Sequence, residues 1–180
     1  MPAAEVPAGE GRIAVVSDTH DHWPALDALC RRLADTGCTH LLHCGDVCAP
    51  LTLLRLLDGF DGQVDLVSGN VDGDHYLMTT RTAGRTNFRF HGAELAEITV
   101  GGRSVAMQHY PRLARALASG GEYDAVFYGH DHVAHVERMG AGGRSVLLAN
   151  PGTLSAMGRT PTYGLYDPAS NDLELVDLTV

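Results

Sequence analysis

Asp18 and His20 stand two residues apart, directly after the short apolar run Ile13 to Ser17. In extended backbone, residues i and i+2 project to the same side. A carboxylate oxygen and an imidazole nitrogen on one side of a strand end make half of a metal site. Gly45-Asp46 follows a second apolar run, Leu41 to Cys44, and Gly69-Asn70 follows a third, Val64 to Val67. In each pair the glycine permits a tight turn, so the next side chain can be aimed inward. His109 ends the run Ser104 to Gln108. His130 and His132 follow Ala125 to Tyr128, again at i and i+2, with Asp131 between them expected to point away. Asn150-Pro151-Gly152 closes the series after Ser145 to Ala149. Taken singly, each is an ordinary turn or a hydrogen-bonded loop residue, and His22, His40, His75 and His91 are read that way. His43, just before Asp46, reads either as a support behind the site or as a satisfied core histidine. The order carries the signal: one strand end after another bears a ligand-type residue or a tight turn.

The elements that must position these residues are legible from the apolar pattern. Ile13 to Ser17 is rich in β-branched residues and reads as a buried strand. Pro24 to Asp35 carries Leu26, Leu29 and Leu33 at helical spacing, with Pro24 suited to a first turn and Gly37 to the end. Leu41 to Cys44, Pro50 to Leu57 and Val64 to Val67 continue the alternation as strand, helix and strand. This β-α-β-α-β opening implies a parallel sheet with right-handed crossovers, which binds ligands at the carboxyl ends of its strands. The later chain predicts hairpins: Leu95 to Val100 with Ser104 to Gln108 around Gly101-Gly102, Val133 to Arg138 with Ser145 to Leu148, and Tyr163 to Tyr166 with Leu173 to Leu178. Leu113 to Leu117 reads as a short helix and Ala125 to Tyr128 as a buried strand. Residues 72–92 have weak periodicity and read as a long loop near the site, and residues 1–11 are expected to be flexible.

The chain has 180 residues, 44% of them hydrophobic and 19% charged, enough for a real core in one domain, residues 1–180. No run approaches the ~20 apolar residues of a membrane span. The formal net charge of −9 argues against binding duplex nucleic acid, where cationic contacts to phosphate dominate. Cys30, Cys38, Cys44 and Cys48 form no C-x-x-C pair, and the first residues have no apolar leader. Reduced thiols and a cytoplasmic location are therefore expected.

In this order D-x-H, G-D, G-N-x-D, a strand-end histidine, G-H-x-H and N-P-G resemble the calcineurin-like metallophosphoesterases. The short length resembles the small prokaryotic phosphodiesterase branch, related to the retromer scaffold subunit of eukaryotes. The resemblance runs from Ile13 to the C-terminal hairpin. It implies an α/β fold, a four-layer α-β-β-α sandwich of two mixed sheets with helices outside. It also implies two divalent metals: Asp18, His20 and His132 on the first, Asn70, His109 and His130 on the second, and Asp46 bridging them. Oxygen and imidazole without thiolate suit manganese, the leading expectation, or Fe, Zn, Ni or Co. The implied activity is hydrolysis of a small phosphodiester by a metal-bridging hydroxide. A phosphomonoesterase using the same site and a non-catalytic scaffold are the alternatives, and a homo-oligomer stays open.

The sequence departs from the family pattern twice. Val71 stands where much of the superfamily has a histidine that helps the leaving group, so no protein general acid is assigned. Tyr110 stands where glycine is usual, held extended by Pro111. Arg81, Arg85 and Arg89 are cations in an acidic chain, and with Tyr110 they are candidate substrate contacts.

Overall fold

Ile13, Ala14, Val15 and Val16 are all buried, as a strand must be when both of its faces are covered. The computed structural model describes residues 4–6, 11–93, 95–155 and 157–180. In chain order its elements are β1 (Ala4–Val6), β2 (Ile13–Val16), α1 (Trp23–Thr36), β3 (His40–His43), α2 (Pro50–Gly59), β4 (Gln63–Leu66), α3 (His75–Thr82) and β5 (Phe88–Phe90). There follow β6 (Ala96–Val100), β7 (Arg103–Met107), α4 (Pro111–Gly120), β8 (Ala125–Phe127), β9 (His135–Ala141), β10 (Arg144–Asn150), β11 (Thr162–Asp167) and β12 (Asp172–Asp177). They form two six-stranded sheets, ordered β12-β11-β2-β3-β4-β5 and β1-β6-β7-β8-β10-β9.

Three apolar clusters define four layers. Leu26, Leu29, Leu33, Leu53 and Leu56 pack the first helices on the outer face of the first sheet. Val15, Leu42, Ile98, Met107, Phe127 and Tyr166 fill the space between the sheets. Ala114 and Ala118 of α4 meet Ala106, Val126 and Leu148 on the outer face of the second sheet. Both sheets are mixed: β2 to β5 run parallel, while β11 and β12 run antiparallel at one edge. The α-β-β-α sandwich implied by the sequence is the architecture found. Among the described residues no helix is long and apolar enough to cross a membrane.

Register sets the site. Val16 pairs with His43 and His43 with Leu66, so the chain leaves these three strands side by side. In the facing sheet Met107 pairs with Phe127. The residues after β2, β3, β4, β7 and β8 therefore emerge at one end of the sandwich.

Two expectations are corrected. Residues 72–92 are not a structureless loop: they hold α3 and the parallel edge strand β5. Periodicity in α3 is weak because it buries only Met78 and Thr82. Its start comes from Asp74, whose carboxylate accepts from the Leu77 N–H at 2.9 Å. Within residues 1–11, expected to be flexible, Ala4–Val6 pair in parallel with β6. The rest of that stretch, apart from Gly11, lies outside the described residues.

Candidate metal centre

The backbone turns sharply at three of the strand ends that bear candidate ligands, those after β2, β3 and β8. Asp18, His20, Asp46, His130 and His132 all have left-handed φ, between 44° and 77°. The extended i, i+2 geometry expected for Asp18–His20 and His130–His132 is thus corrected. Both pairs converge, but through left-handed residues, a strained conformation that surrounding bonds must hold. The Asp18 N–H donates to Gly45 O at 2.9 Å and the His20 N–H to Asp46 O at 3.1 Å, lacing the first loop onto the second. Gly69 and Gly129 admit this closeness. A Cβ on Gly69 would lie 2.0 Å from Asp46 Oδ1, and one on Gly129 would lie 1.9 Å from Ser17 Oγ and 2.6 Å from Asp18 Oδ2.

Each aspartate commits one oxygen and keeps the other. Asp18 Oδ2 accepts from the His130 N–H at 2.9 Å, while Oδ1 is buried without a hydrogen-bond partner. Asp46 Oδ1 accepts from the Val71 N–H at 3.0 Å. The remaining oxygens face imidazoles. Asp18 Oδ1 lies 3.2 Å from His132 Nε2 and 3.6 Å from His20 Nε2. Asp46 Oδ2 lies 3.7 Å from His20 Nε2 and 3.4 Å from His109 Nε2, between the two halves of the cluster. Asn70 Oδ1 completes the second half, 3.0 Å from His109 Nε2 and 2.8 Å from His130 Nδ1. All seven ligand-type residues singled out in the sequence come together.

The donor set fits divalent metal. His109 Nδ1 lies 2.8 Å from Cys44 O, which holds the ring's proton there and leaves Nε2 bare. A bare nitrogen, an amide oxygen and a carboxylate oxygen then face one another with nothing between them to share. His20 Nε2 and His132 Nε2 also face each other at 3.0 Å. Acceptors pressed together in this way require a cation, whether proton or metal ion. The protonation energetics agree. Burial pulls His109 down, but the Asp46 carboxylate and the Cys44 carbonyl raise it overall. The facing carboxylates of Asp18 and Asp46 raise His20 against its own burial. Burial pushes Asp46 up, yet the His109 and Val71 bonds leave it below the usual carboxylate range. Two groups of carboxylate and imidazole atoms have metal-binding spacing, Asp18–His20–His132 and Asp18–Asp46–His109.

Residues behind the ligands hold them in place. Asp72 Oδ2 accepts from the N–H of Asp46 at 3.0 Å and of Gly69 at 2.7 Å, and its Oδ1 from the Cys48 N–H at 2.6 Å. One carboxylate thus ties two ligand loops together. The sequence reading gave Asp72 no role, although it is the last letter of G-N-x-D. His43 does support the site from behind: Nδ1 accepts from the Gly45 N–H at 3.2 Å and Nε2 lies 2.8 Å from Thr19 Oγ1. Burial lowers its pKa to about 4, so it is neutral there. Asn150 of the N-P-G turn donates to Gly129 O at 3.1 Å and to Asp131 Oδ1 at 2.7 Å, which turns Asp131 away from the cluster. Thr153 and Ser155 bind the Asp18 carbonyl. All four cysteines are free thiols, and burial raises Cys48 to about 12.

A family model for the calcineurin-like phosphoesterase superfamily domain matches residues 12–171. The chain belongs to this superfamily. The phosphodiesterase MJ0936 of Methanocaldococcus jannaschii is 26% identical over 161 residues, covering 87% of this chain and 92% of its own length. A solved structure of an archaeal phosphodiesterase superposes with a TM-score of 0.82 at 22% identity, covering 93% of this chain and 99% of that one. The E. coli phosphoesterase YfcE superposes at 0.62 with 18% identity, covering 93% and 100%. Vacuolar protein sorting 29 of Cryptosporidium parvum superposes at 0.58 with 17% identity, covering 92% and 95%.

Within this phosphoesterase fold the remaining candidates fall into two groups. Val71 and Tyr110 flank the cluster. Val71 is exposed beside Asn70. Tyr110 caps α4 in extended backbone, and its ring packs edge-on against His109 and His130 at centroid distances of 5.2 and 5.0 Å. The arginines are not brought to the metal ligands. Arg85 donates to Asp58 and to Leu57 O at the end of α2, away from the strand ends that carry ligands. Arg81 lies in the last turn of α3. Arg89 lies 3.1 Å from the buried carboxylate of Asp65.

Proposed function

We propose that the protein is a phosphodiesterase working with two divalent metals, manganese first among them, at the cluster of Asp18, His20, Asp46, Asn70, His109, His130 and His132. Asp46 Oδ2 carries the reading. The Val71 N–H holds the other oxygen, Oδ1, from behind, and leaves Oδ2 between the imidazoles of both halves, where a bridging ligand would lie. Asp18, His20 and His132 hold one ion, and Asn70, His109 and His130 the other. A bound pair supplies an activated water and positive charge for the phosphoryl oxygens.

The chain's own residues do the rest. Left-handed turns at Asp18, His20, Asp46, His130 and His132 aim those side chains at the cluster, which Asn70 and His109 complete. The Cys44 carbonyl fixes the tautomer of His109. Asp72 keeps the Asp46 and Asn70 loops in register, so the ligands need no rearrangement to accept metal. A scaffold need not retain all seven converging residues, so their presence together favours an enzyme. The diester, rather than the monoester, is favoured by the named activity of the curated relative.

The test is elemental analysis of protein prepared with excess Mn²⁺, together with turnover of bis-aryl phosphodiesters and aryl phosphomonoesters. Two ions per chain with the diester preferred is expected. One ion or none, or no turnover of either ester, would overturn the reading.

A further inference from the structure

Among the described residues, six of the ten exposed large apolar side chains lie on segments that leave the candidate ligand loops; the other four are Leu113, Val136, Leu175 and Val180. Trp23 opens α1 shortly after His20, and Leu51, 63% exposed, opens α2 after Asp46. Val71, 46% exposed, follows Asn70; Tyr76, 79% exposed, sits in the first turn of α3; Val133 follows His132. Met157, 61% exposed, lies just past Ser155, whose N–H binds the Asp18 carbonyl. The opposite end of the sandwich exposes Arg32, Asp35, Asp58, Asp61 and Glu122. Exposed apolar residues scattered singly need no explanation, but their concentration about one site does.

The acidic groups on the same rim are already engaged. Asp21 accepts from the Ala49 N–H and the Thr52 hydroxyl, Asp74 caps α3, and Asp131 accepts from Val133 N–H and Asn150. What the rim offers a newcomer is apolar surface. Anything attached to a phosphate at the metal ligands must lie across it.

Resting on the phosphodiesterase reading above, we propose that the substrate is a phosphodiester with an apolar ester group of at least ring size. That group packs on Val71, Tyr76 and Tyr110. Val71 directly follows Asn70, Tyr76 stands in the first turn of α3 six residues after Asn70, and Tyr110 already lines His109 and His130 with its ring. No hydrogen-bonding group replaces the side chain of Val71, so a sugar or glycerol group gains nothing there. Burying a ring against such surface is worth about ten-fold or more in binding over a methyl group.

The test keeps the leaving group constant as p-nitrophenol and varies the other ester among methyl, phenyl and octyl. Phenyl or octyl should lower KM about ten-fold relative to methyl, and Val71→Asn and Tyr76→Ser should bring that ratio toward one. A phenyl preference assigns an aromatic group, and an octyl preference an alkyl chain. Equal KM for all three esters, with turnover intact, would overturn the proposal while leaving the phosphodiesterase reading standing. Calorimetry on Mn²⁺-loaded protein compares phenylphosphonate and octylphosphonate with methylphosphonate without turnover. Tighter binding of either apolar phosphonate in a protein that hydrolyses no ester would support the apolar rim and sink the activity. A dimer by light scattering that these two substitutions dissolve, with no change in the KM ratio, would assign the rim to a second copy and overturn the proposal.

Discussion

Substituting Gly129 or Gly69 tests whether the ligand loops are held as closely as their geometry implies. A methyl on Gly129 meets Ser17 Oγ and Asp18 Oδ2, and one on Gly69 meets the Asp46 carboxylate and its N–H. Gly129→Ala and Gly69→Ala should each weaken metal binding about 10–100-fold, the range seen when ligand orientation is lost, at a stability cost of about 1–3 kcal/mol. Gly120→Ala, where a Cβ meets nothing within 4 Å, should leave both unchanged or slightly improved. Metal titration and thermal melts on the three variants check this. Protons compete with metal at the same atoms, which sets the pH dependence. His20 and His109 are both raised above their ordinary value of 6.5. Their protons therefore compete above that pH, and apparent metal affinity should keep rising through neutrality and fall steeply below it. Affinity measured from pH 5.5 to 8.5 that stays flat would contradict the assignment of these imidazoles as ligands.

Between β3, β4 and β5 a second polar cluster acts on stability rather than on the site. Asp65 of β4 is buried, with His40 Nε2 at 2.6 Å from Oδ2, His91 Nε2 at 2.6 Å from Oδ1, and Arg89 Nε at 3.1 Å from Oδ1. Burial alone would raise its pKa, but the two histidine bonds and Arg89 lower it to about 2. A depressed carboxylate contributes stability above its unfolded pKa of ~3.9 and loses it as pH falls toward 2. A shift of that size is worth about 2–3 kcal/mol at neutral pH. Asp65→Asn should therefore destabilise the fold by roughly 3 kcal/mol at pH 7 and by much less near pH 3, read from urea melts at both. The same stretch shows where sequence reading stops. β2, β3 and β4 were legible because short segments rich in Val, Ile and Leu were followed within three residues by glycine or aspartate. α3 was not, because a cap and two buried residues hold it rather than an apolar stripe. β5 has only three residues, each half-buried, and is defined by its pairing with β4. Asp72 was visible as a letter in a motif, but its three backbone partners come from loops on β3 and β4 that only the fold brings together. The left-handed turns at Asp18 and His130 leave no mark on side-chain alternation, so the residues that converge were picked out while their backbone was read as extended.

For the molecule as a whole, the candidate metal centre is a concentration of polar side chains at one end of a chain with net charge −9. Folding brings two carboxylates and four imidazoles within a few ångströms of one another, an arrangement that the unfolded chain does not have. A ligand that binds only the folded state stabilises it by RT ln(1 + [L]/Kd), about 2.7 kcal/mol at a hundred times Kd. For a domain of this size each kcal/mol is worth roughly 2–4 °C. Mn²⁺ at a hundred-fold over its Kd should thus raise Tm by about 5–10 °C at pH 7.5, and EDTA should reverse the gain. General screening of the acidic surface could imitate a small part of this, so Mg²⁺ and NaCl at matched ionic strength are the controls. Magnesium dehydrates reluctantly and disfavours imidazole ligands, so it should give a far smaller shift. In Asp46→Ala the oxygen shared by the two halves is gone, and the Mn²⁺ shift should shrink to the level of the salt control. The apo form of that variant should melt below apo native protein at neutral pH, because the Asp46 carboxylate, its pKa lowered by His109 and the Val71 N–H, is stabilised by folding. A full Mn²⁺ shift in Asp46→Ala would mean that the ions bind elsewhere, and the assignment of the cluster would fall with it.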